Sequence, residues 1–134
     1  MNKKGFTLVE VLAVITILAI ISLTAVPNVL KIYENNQKEE LLTDAKNLLS
    51  IAKEKVNEKN YLAESNHYKF YIKDLYKDNV LINDYNVLSY IEYSIMNDKV
   101  NYCIFLVGNK YSIGKDACVN EYELDIQKIV KNSE

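Results

Sequence analysis

Glu10 is placed where a carboxylate needs an explanation. It is the only ionisable residue between positions 6 and 26, in a run of otherwise apolar and hydroxyl-bearing side chains. A charged carboxylate at the centre of a membrane costs about 2.5–3.5 kcal/mol, and the cost falls towards the end of the span. The positive end of a helix dipole also favours a negative charge. Glu10 is therefore either an interfacial residue near a helix N-terminus or the partner of a positive charge.

The two cysteines, Cys103 and Cys118, allow one intramolecular pairing. If this part of the chain lies outside the cytoplasm, a disulfide is permitted. In the chain-entropy model, closing a loop of about fifteen residues stabilises the fold by roughly 3 kcal/mol. A pair of free, buried thiols is the alternative.

Other reactive residues are too few or too scattered to predict a catalytic centre, a metal or a cofactor. His67 is the only histidine, and the cysteine spacing is not typical of zinc sites. The sequence has no glycine-rich phosphate loop and no G-x-S-x-G motif, and Ser65 beside His67 is interpreted as loop composition. Acidic residues near the C-terminus could offer oxygen atoms to calcium, but we expect them to be solvated: Asp116, Glu121, Glu123 and Asp125.

The charge balance argues against binding to nucleic acid. The chain of 134 residues has a formal net charge of −2, and its 16 basic residues are all lysine. A mildly acidic chain without arginine lacks the basic footprint of a nucleic-acid-binding protein.

The apolar run at residues 6–26 is long enough to cross a membrane. Twenty-one residues of helix cover about 31 Å at roughly 1.5 Å per residue. Lys3 and Lys4 precede the run and favour a cytoplasmic N-terminus, with the rest of the chain outside. An ordinary secretory signal fits less well, because the run is long and residues 24–26 are a poor cleavage site.

The first thirty or so residues resemble the N-terminal signature of type IV pilins and of the pseudopilins of type II secretion and competence systems. Lys3, Lys4 and Gly5 match the leader, and Phe6 matches the residue after the cleavage point. Thr-Leu-Val-Glu follows Phe6 and ends at Glu10. Pro27, a little further on, stands where pilins commonly carry a helix-kinking proline.

This resemblance implies a maturation step and an assembly role. A prepilin peptidase would cleave between Gly5 and Phe6, and the new amino terminus of Phe6 would be methylated. The carboxylate of Glu10 would then pair with the amino terminus of Phe6 in a neighbouring subunit. Such pairing would lower the cost of both charges in lipid and fix the register between subunits.

Beyond Pro27 an apolar stripe continues at helical spacing. It predicts an amphipathic helix over residues 28–60, continuous with the apolar run and kinked at Pro27. The stripe consists of Leu41, Ala45, Leu48, Ala52 and Val56. A coiled coil is less well supported, because the stripe is too short for sustained heptads.

Alternating and β-branched residues predict an antiparallel meander of three or four strands that covers the apolar stripe. The predicted strands are residues 68–73, 87–95, 100–107 and 111–113, with turns at 97–99 and 108–109.

Four further segments are assigned by pattern alone. Residues 61–66 are predicted to form a loop and residues 74–79 a helical turn. Residues 122–130 fit either a short helix or an edge strand. Residues 131–134 are predicted to form a frayed tail.

The predicted fold class is α+β: a long, kinked N-terminal helix, membrane-spanning in its first half, packed on a small antiparallel β-sheet. Its parts are a leader (1–5), a transmembrane and filament-core helix (6–26), an amphipathic continuation (27–60) and an extracytoplasmic β domain (61–134). The resemblance implies a non-enzymatic subunit of a type IV pilus or pseudopilus, which joins homo- or hetero-oligomeric filaments at the cell surface. It also implies contacts with membrane lipid, prepilin peptidase, an assembly ATPase and a platform protein.

Two other functions stay open at this point. One is a membrane-anchored extracytoplasmic binding module that keeps its leader. The other is a DNA-uptake pilin of a competence filament, whose soluble part would bind DNA in a salt-sensitive way.

Overall fold

The computed structural model describes residues 4–58, 66–75 and 85–133. It confirms the α+β class, with one long N-terminal helix followed by six antiparallel strands in these residues. The helices are α1 (Leu8–Glu58) and the single turn α2 (Ile72–Leu75). The strands are β1 (His67–Tyr71), β2 (Tyr90–Met96), β3 (Lys99–Val107), β4 (Tyr111–Ile113), β5 (Val119–Asn120) and β6 (Ile129–Lys131).

The chain divides into two units, Met1–Asn36 and Gln37–Glu134. The first contains the apolar part of α1, and the second contains the rest of α1 together with the sheet. The most apolar stretch of α1 has no buried residues, and by length and composition it could span a membrane.

Pro27 lies inside α1 without interrupting it. Because proline has no N–H, it cannot donate to the carbonyl of Leu23, one turn earlier. The neighbouring Asn28 side chain donates to the carbonyl of Thr24 at 3.1 Å, which adds a hydrogen bond next to the missing one. The kink at Pro27 stays a prediction.

The second unit is organised around the apolar stripe of α1. Its predicted members are all buried, and Ala45, Ala52 and Val56 have no exposed surface. Alanine at two positions one heptad apart leaves room for the sheet to approach the helix backbone. The sheet face that shares this core carries Phe70, Ile91, Tyr93, Tyr102, Ile104, Leu106 and Ile113.

The strand order is β1-β2-β3-β4-β6, and β5 pairs with β3 beside the β4 pairing. The predicted meander β1 to β4 is confirmed, but the predicted number of strands was too low. The two additional strands have two and three residues, so neither is long enough to show an alternating pattern.

The hairpin between β2 and β3 turns at Asn97 and Asp98, as predicted. Both residues have positive φ, 53° and 59°. A two-residue loop with both central residues left-handed is the type I′ turn, whose twist matches that of the flanking strands. Asn and Asp tolerate this conformation better than other non-glycine residues, so the local sequence favours this register.

The start of β2 was predicted three residues too early. The N–H of Leu88 donates to the Asn86 side chain at 2.9 Å, and the N–H of Ser89 donates to the Asn86 carbonyl at 2.9 Å. This Asx-type turn holds residues 87 and 88 out of the ladder. Strand β1 ends two residues earlier than predicted, because α2 begins at Ile72.

The predicted loop at 61–66 lies outside the described residues except for Asn66. The predicted helical turn at 74–79 does so except for Asp74 and Leu75, which end α2. Residues 122–130 combine parts of both alternatives, because two 3₁₀ turns, Glu121–Glu123 and Ile126–Lys128, precede the edge strand β6.

The predicted frayed tail was wrong at Lys131 and Asn132. Lys131 pairs with Tyr111 in the sheet, and the N–H of Asn132 donates to the Lys110 carbonyl at 2.8 Å. The Asn132 side chain donates to the Gly108 carbonyl at 2.7 Å and accepts from the Ser112 hydroxyl. One side chain near the C-terminus therefore holds the β3–β4 turn closed.

We expect Asn132→Ala to lower the free energy of unfolding by about 1–3 kcal/mol, because two part-buried polar groups lose their partner. Guanidinium unfolding of the detergent-solubilised chain, followed by near-ultraviolet circular dichroism, measures this loss. Ser133→Ala, at the exposed neighbouring position, is the control. Equal midpoints for the two variants would contradict the role of Asn132.

A polar contact also joins α1 to the sheet. The ammonium group of Lys53 pairs with the Glu121 carboxylate and lies 5.2 Å from the centre of the Tyr102 ring. Burial raises the pKa of the Tyr102 hydroxyl above its ordinary value of 10.0, and the charges of Glu121 and Tyr93 raise it further. The folded state therefore favours the neutral phenol.

This shift predicts an alkaline loss of stability. A pKa that folding raises contributes stability that is complete below pH 10 and declines as the pH rises through the folded value. We expect Tyr102→Phe to flatten the fall in unfolding midpoint at alkaline pH. Tyr122→Phe, at a tyrosine that is 80% exposed, is the matched control. Identical alkaline profiles for Tyr102→Phe and the parent chain would contradict the prediction.

Candidate processing and assembly site

The residues before α1 form an exposed, non-helical segment. Gly5 and Phe6 both lie in it, and the Phe6 side chain is 88% exposed. A Cβ atom at Gly5 would meet no atom within 4 Å. Packing among the described residues therefore leaves room for a larger residue at position 5.

Glu10 and Thr7 cap the start of α1 reciprocally. The N–H of Thr7 donates to the Glu10 carboxylate at 2.9 Å, and the N–H of Glu10 donates to the Thr7 hydroxyl at 3.3 Å. This arrangement is a capping box, which satisfies two backbone donors that the first helical turn leaves open. It also places the carboxylate at the positive end of the helix dipole.

Sequence analysis missed the contribution of Thr7. The signal was available, because Thr-Leu-Val-Glu matches the Ser/Thr-x-x-Glu/Gln pattern of a capping box directly before an apolar run. The sequence placed Glu10 either near a helix N-terminus or beside a positive charge, but it did not pair Glu10 with Thr7. In the structure its carboxylate already accepts a hydrogen bond from its own chain, which fixes it at the helix N-terminus.

Three hydroxyl groups interrupt the apolar surface of α1, and each donates to a backbone carbonyl of the preceding turn. Thr16 donates to Ala13 at 2.8 Å, Ser22 to Leu18 at 2.7 Å and Thr24 to Ile21 at 3.0 Å. In lipid, polar donors must find partners within the protein. These three therefore do not oppose insertion of the helix.

Large apolar side chains on α1 are exposed from its first residue onward. Leu8 and Leu23 are each 78% exposed, and the apolar side chains between them are exposed as well. Exposed apolar surface of this extent indicates contact with lipid or with other proteins.

The first 26 residues match the family model described as the prokaryotic N-terminal methylation motif. The chain therefore carries a prepilin-type signal. This is the signal of type IV pilins and pseudopilins. Together with the long helix and small antiparallel sheet, it makes the architecture pilin-like.

The match with the prepilin-type signal ends at residue 26 and does not include the sheet. Comparison with curated proteins and with solved structures gives no match. Gly5, Phe6 and Glu10 all lie within the matched residues, and their individual roles stay predictions.

Cys103 on β3 and Cys118, just before β5, form a disulfide in the structure, with their Cα atoms 5.4 Å apart. Next to the disulfide, strand β5 pairs with β3 at Cys103 and Ile104. The cross-link therefore attaches the C-terminal segment to the longest strand of the sheet.

The acidic residues considered for calcium have other contacts. Glu121 pairs with Lys53, and the Glu123 carboxylate lies 3.9 Å from the Lys128 ammonium group. The Asp125 carboxylate accepts from the N–H of Ile126 at 2.6 Å and caps a 3₁₀ turn. These contacts account for three of the four residues without a metal ion.

Proposed function

We propose that this chain is a structural subunit of a type IV pilus or pseudopilus, assembled through its N-terminal helix. The observation that carries the proposal is the prepilin-type signal on a helix whose most apolar stretch has no buried residue. The signal alone identifies a route of maturation. The exposed surface supplies the reason for assembly, because neighbouring helices can bury it.

Maturation removes residues 1–5 by cleavage between Gly5 and Phe6, followed by methylation of the Phe6 amino group. The support is local. Residues 4–7 precede the first helical turn and are exposed, so a peptidase can bind them in an extended conformation without unwinding α1. The bare backbone at Gly5 suits an enzyme cleft that leaves no room for a side chain.

Assembly pairs the carboxylate of Glu10 with the methylated amino terminus of Phe6 in a neighbouring subunit. The capping box supports this role, because it holds the carboxylate at the end of the helix from which the amino terminus extends. Only one carboxylate oxygen accepts from Thr7, so the other is available to a second donor. Two opposite charges in lipid then partly offset each other's desolvation.

The same proposal assigns a topology. The N-terminus lies in the cytoplasm, the segment at residues 6–26 crosses the membrane, and the sheet lies outside, where the Cys103–Cys118 disulfide can form. The amphipathic continuation at residues 27–60 and the β domain at residues 61–134 would face outward in the filament. Prepilin peptidase, an assembly ATPase and a platform protein are the partners that this pathway requires.

We expect Gly5→Leu to block processing without changing the fold. A Cβ atom at this exposed position meets no atom within 4 Å, so we expect the effect to arise in the peptidase cleft. Electrophoretic mobility and N-terminal peptide mass in the native cells would show retention of residues 1–5. Lys4→Arg is the control and should be processed normally. Cleavage of the Gly5→Leu chain at the parental rate would contradict the proposed site.

We expect Glu10→Ala and Glu10→Gln to be processed normally yet to give at least tenfold fewer filaments. Glutamine preserves the capping box but removes the charge, so it isolates the ion pair from the cap. Sheared filament yield, normalised to processed subunit in the membrane, is the measurement. Glu34→Ala, at an exposed acid of the same helix, is the control.

Each Glu10 variant can contradict a different part of the proposal. Normal filament yield from Glu10→Gln would show that the charge is dispensable and that the cap is what matters. Normal yield from Glu10→Ala would remove Glu10 from assembly altogether.

A further inference from the structure

The disulfide lies beside a carboxylate that sequence spacing does not reveal. Glu92 on β2 is directly opposite Cys103 on β3, so the two side chains project from the same face of the sheet. Cys118 reaches this face from the segment before β5. A carboxylate oxygen of Glu92 and the two sulfur atoms all lie within 4.8 Å of one another.

A histidine adjoins the same carboxylate. His67 on β1 places its Nε2 atom 2.6 Å from one oxygen of Glu92. The Lys69 ammonium group lies 3.7 Å from the other oxygen and 4.0 Å from the centre of the Tyr90 ring. Glu92 is only 24% exposed, so these neighbours restrict its position.

The donor atoms suit zinc once the sulfurs are not bonded to each other. Zinc favours tetrahedral sites made of thiolate, imidazole and carboxylate ligands. With zinc–sulfur bonds of about 2.3 Å and zinc–oxygen bonds of about 2.0 Å, neighbouring ligand atoms lie roughly 3.5–3.8 Å apart. The spacing of Glu92, Cys103 and Cys118 reaches this range with small side-chain rotations.

We propose that the dithiol form of this protein binds one Zn²⁺ ion through Cys103, Cys118 and Glu92. Binding replaces the two thiol protons, which pass to solvent, while the carboxylate contributes without losing a proton. His67, whose Nε2 atom lies 2.6 Å from the Glu92 carboxylate, is the candidate for the fourth position, and otherwise it orients that carboxylate as histidine–carboxylate pairs do at metal sites.

Metal binding and the disulfide exclude each other. The chain is synthesised with thiols, so the dithiol state precedes the disulfide and needs no reductant. Forming the disulfide takes two electrons from the thiolates, transfers them to an oxidant such as the disulfide of a thiol oxidoreductase, and releases the zinc ion. The site would therefore protect the two thiols until the chain meets that oxidant. This inference does not depend on assembly into a filament.

The test uses the full chain in detergent, reduced with a phosphine and freed of reductant under anaerobic conditions. Titration with Zn²⁺, and with Cd²⁺ as a probe of thiolate–metal charge transfer, measures stoichiometry and affinity. We expect one equivalent bound by the reduced chain and none at this site by the oxidised chain. Bound zinc should also slow thiol alkylation.

Glu92→Gln should weaken zinc binding at least tenfold, because it keeps the size of the side chain but removes the anionic ligand. Glu123→Gln, at an exposed acid away from the cysteines, should leave affinity unchanged. Lys69→Gln should leave binding unchanged or strengthen it, since a competing positive charge is lost.

Two results would overturn the proposal. One is the absence of stoichiometric metal binding by the reduced chain. The other is equal affinity for zinc in Glu92→Gln and the parent chain, which would show that the thiols act alone. The comparison of Glu92→Gln with the parent chain stays informative even if reduction loosens the fold. An unfolded dithiol would bind zinc without help from Glu92, so the two affinities would then be equal.

Discussion

The constraint on which the rest of this structure depends is the apolar surface of the N-terminal half of α1. No side chain of its own unit covers that surface, and water would oppose its exposure. The polar groups along it are already satisfied within the helix, by the capping box at Thr7 and Glu10 and by the backward hydrogen bonds of Thr16, Ser22 and Thr24. Lipid or neighbouring helices then need only to cover the apolar side chains and to provide a partner for the charge of Glu10.

In the second half of the same helix, the apolar side chains are covered within the chain itself. Its apolar stripe is narrow, and the sheet covers it, with Ala45 and Ala52 allowing close approach. Three contacts attach the C-terminal segment to the rest of this unit. They are the Cys103–Cys118 disulfide, the Lys53–Glu121 ion pair and the hydrogen bonds of the Asn132 side chain. Helix α1 therefore contributes to both units. Its sequence is apolar on all sides in the first unit and amphipathic in the second.

Sequence predicted those features whose causes are local. The stripe from Leu41 to Val56 has a helical period, and Asn97-Asp98 has the chemistry of its turn. The leader signature at Gly5 and Phe6 is contiguous, and the family match confirms that a prepilin-type signal is present. The features that sequence missed depend on distant partners. Strands β5 and β6 exist because β3 and β4 offer free edges, and Asn132 is ordered because the Gly108 carbonyl lies within reach.

The same distinction applies to the candidate sites. Cys103 and Cys118 could be considered together from their number alone, but Glu92 joins them only through the β2–β3 register. Thr7 is an exception, because its pattern with Glu10 is local and was overlooked. Roles that arise between molecules, such as the one proposed for Gly5, are not visible in the packing of the described residues.

The mass of the N-terminal peptide of the native protein, isolated from its own cells, decides whether this maturation takes place. We expect a methylated peptide that begins at Phe6. A peptide that retains residues 1–5 would contradict it, because an uncleaved Phe6 has no amino group to offer Glu10. The chain would then be a membrane-anchored domain whose exposed helix serves as an anchor alone.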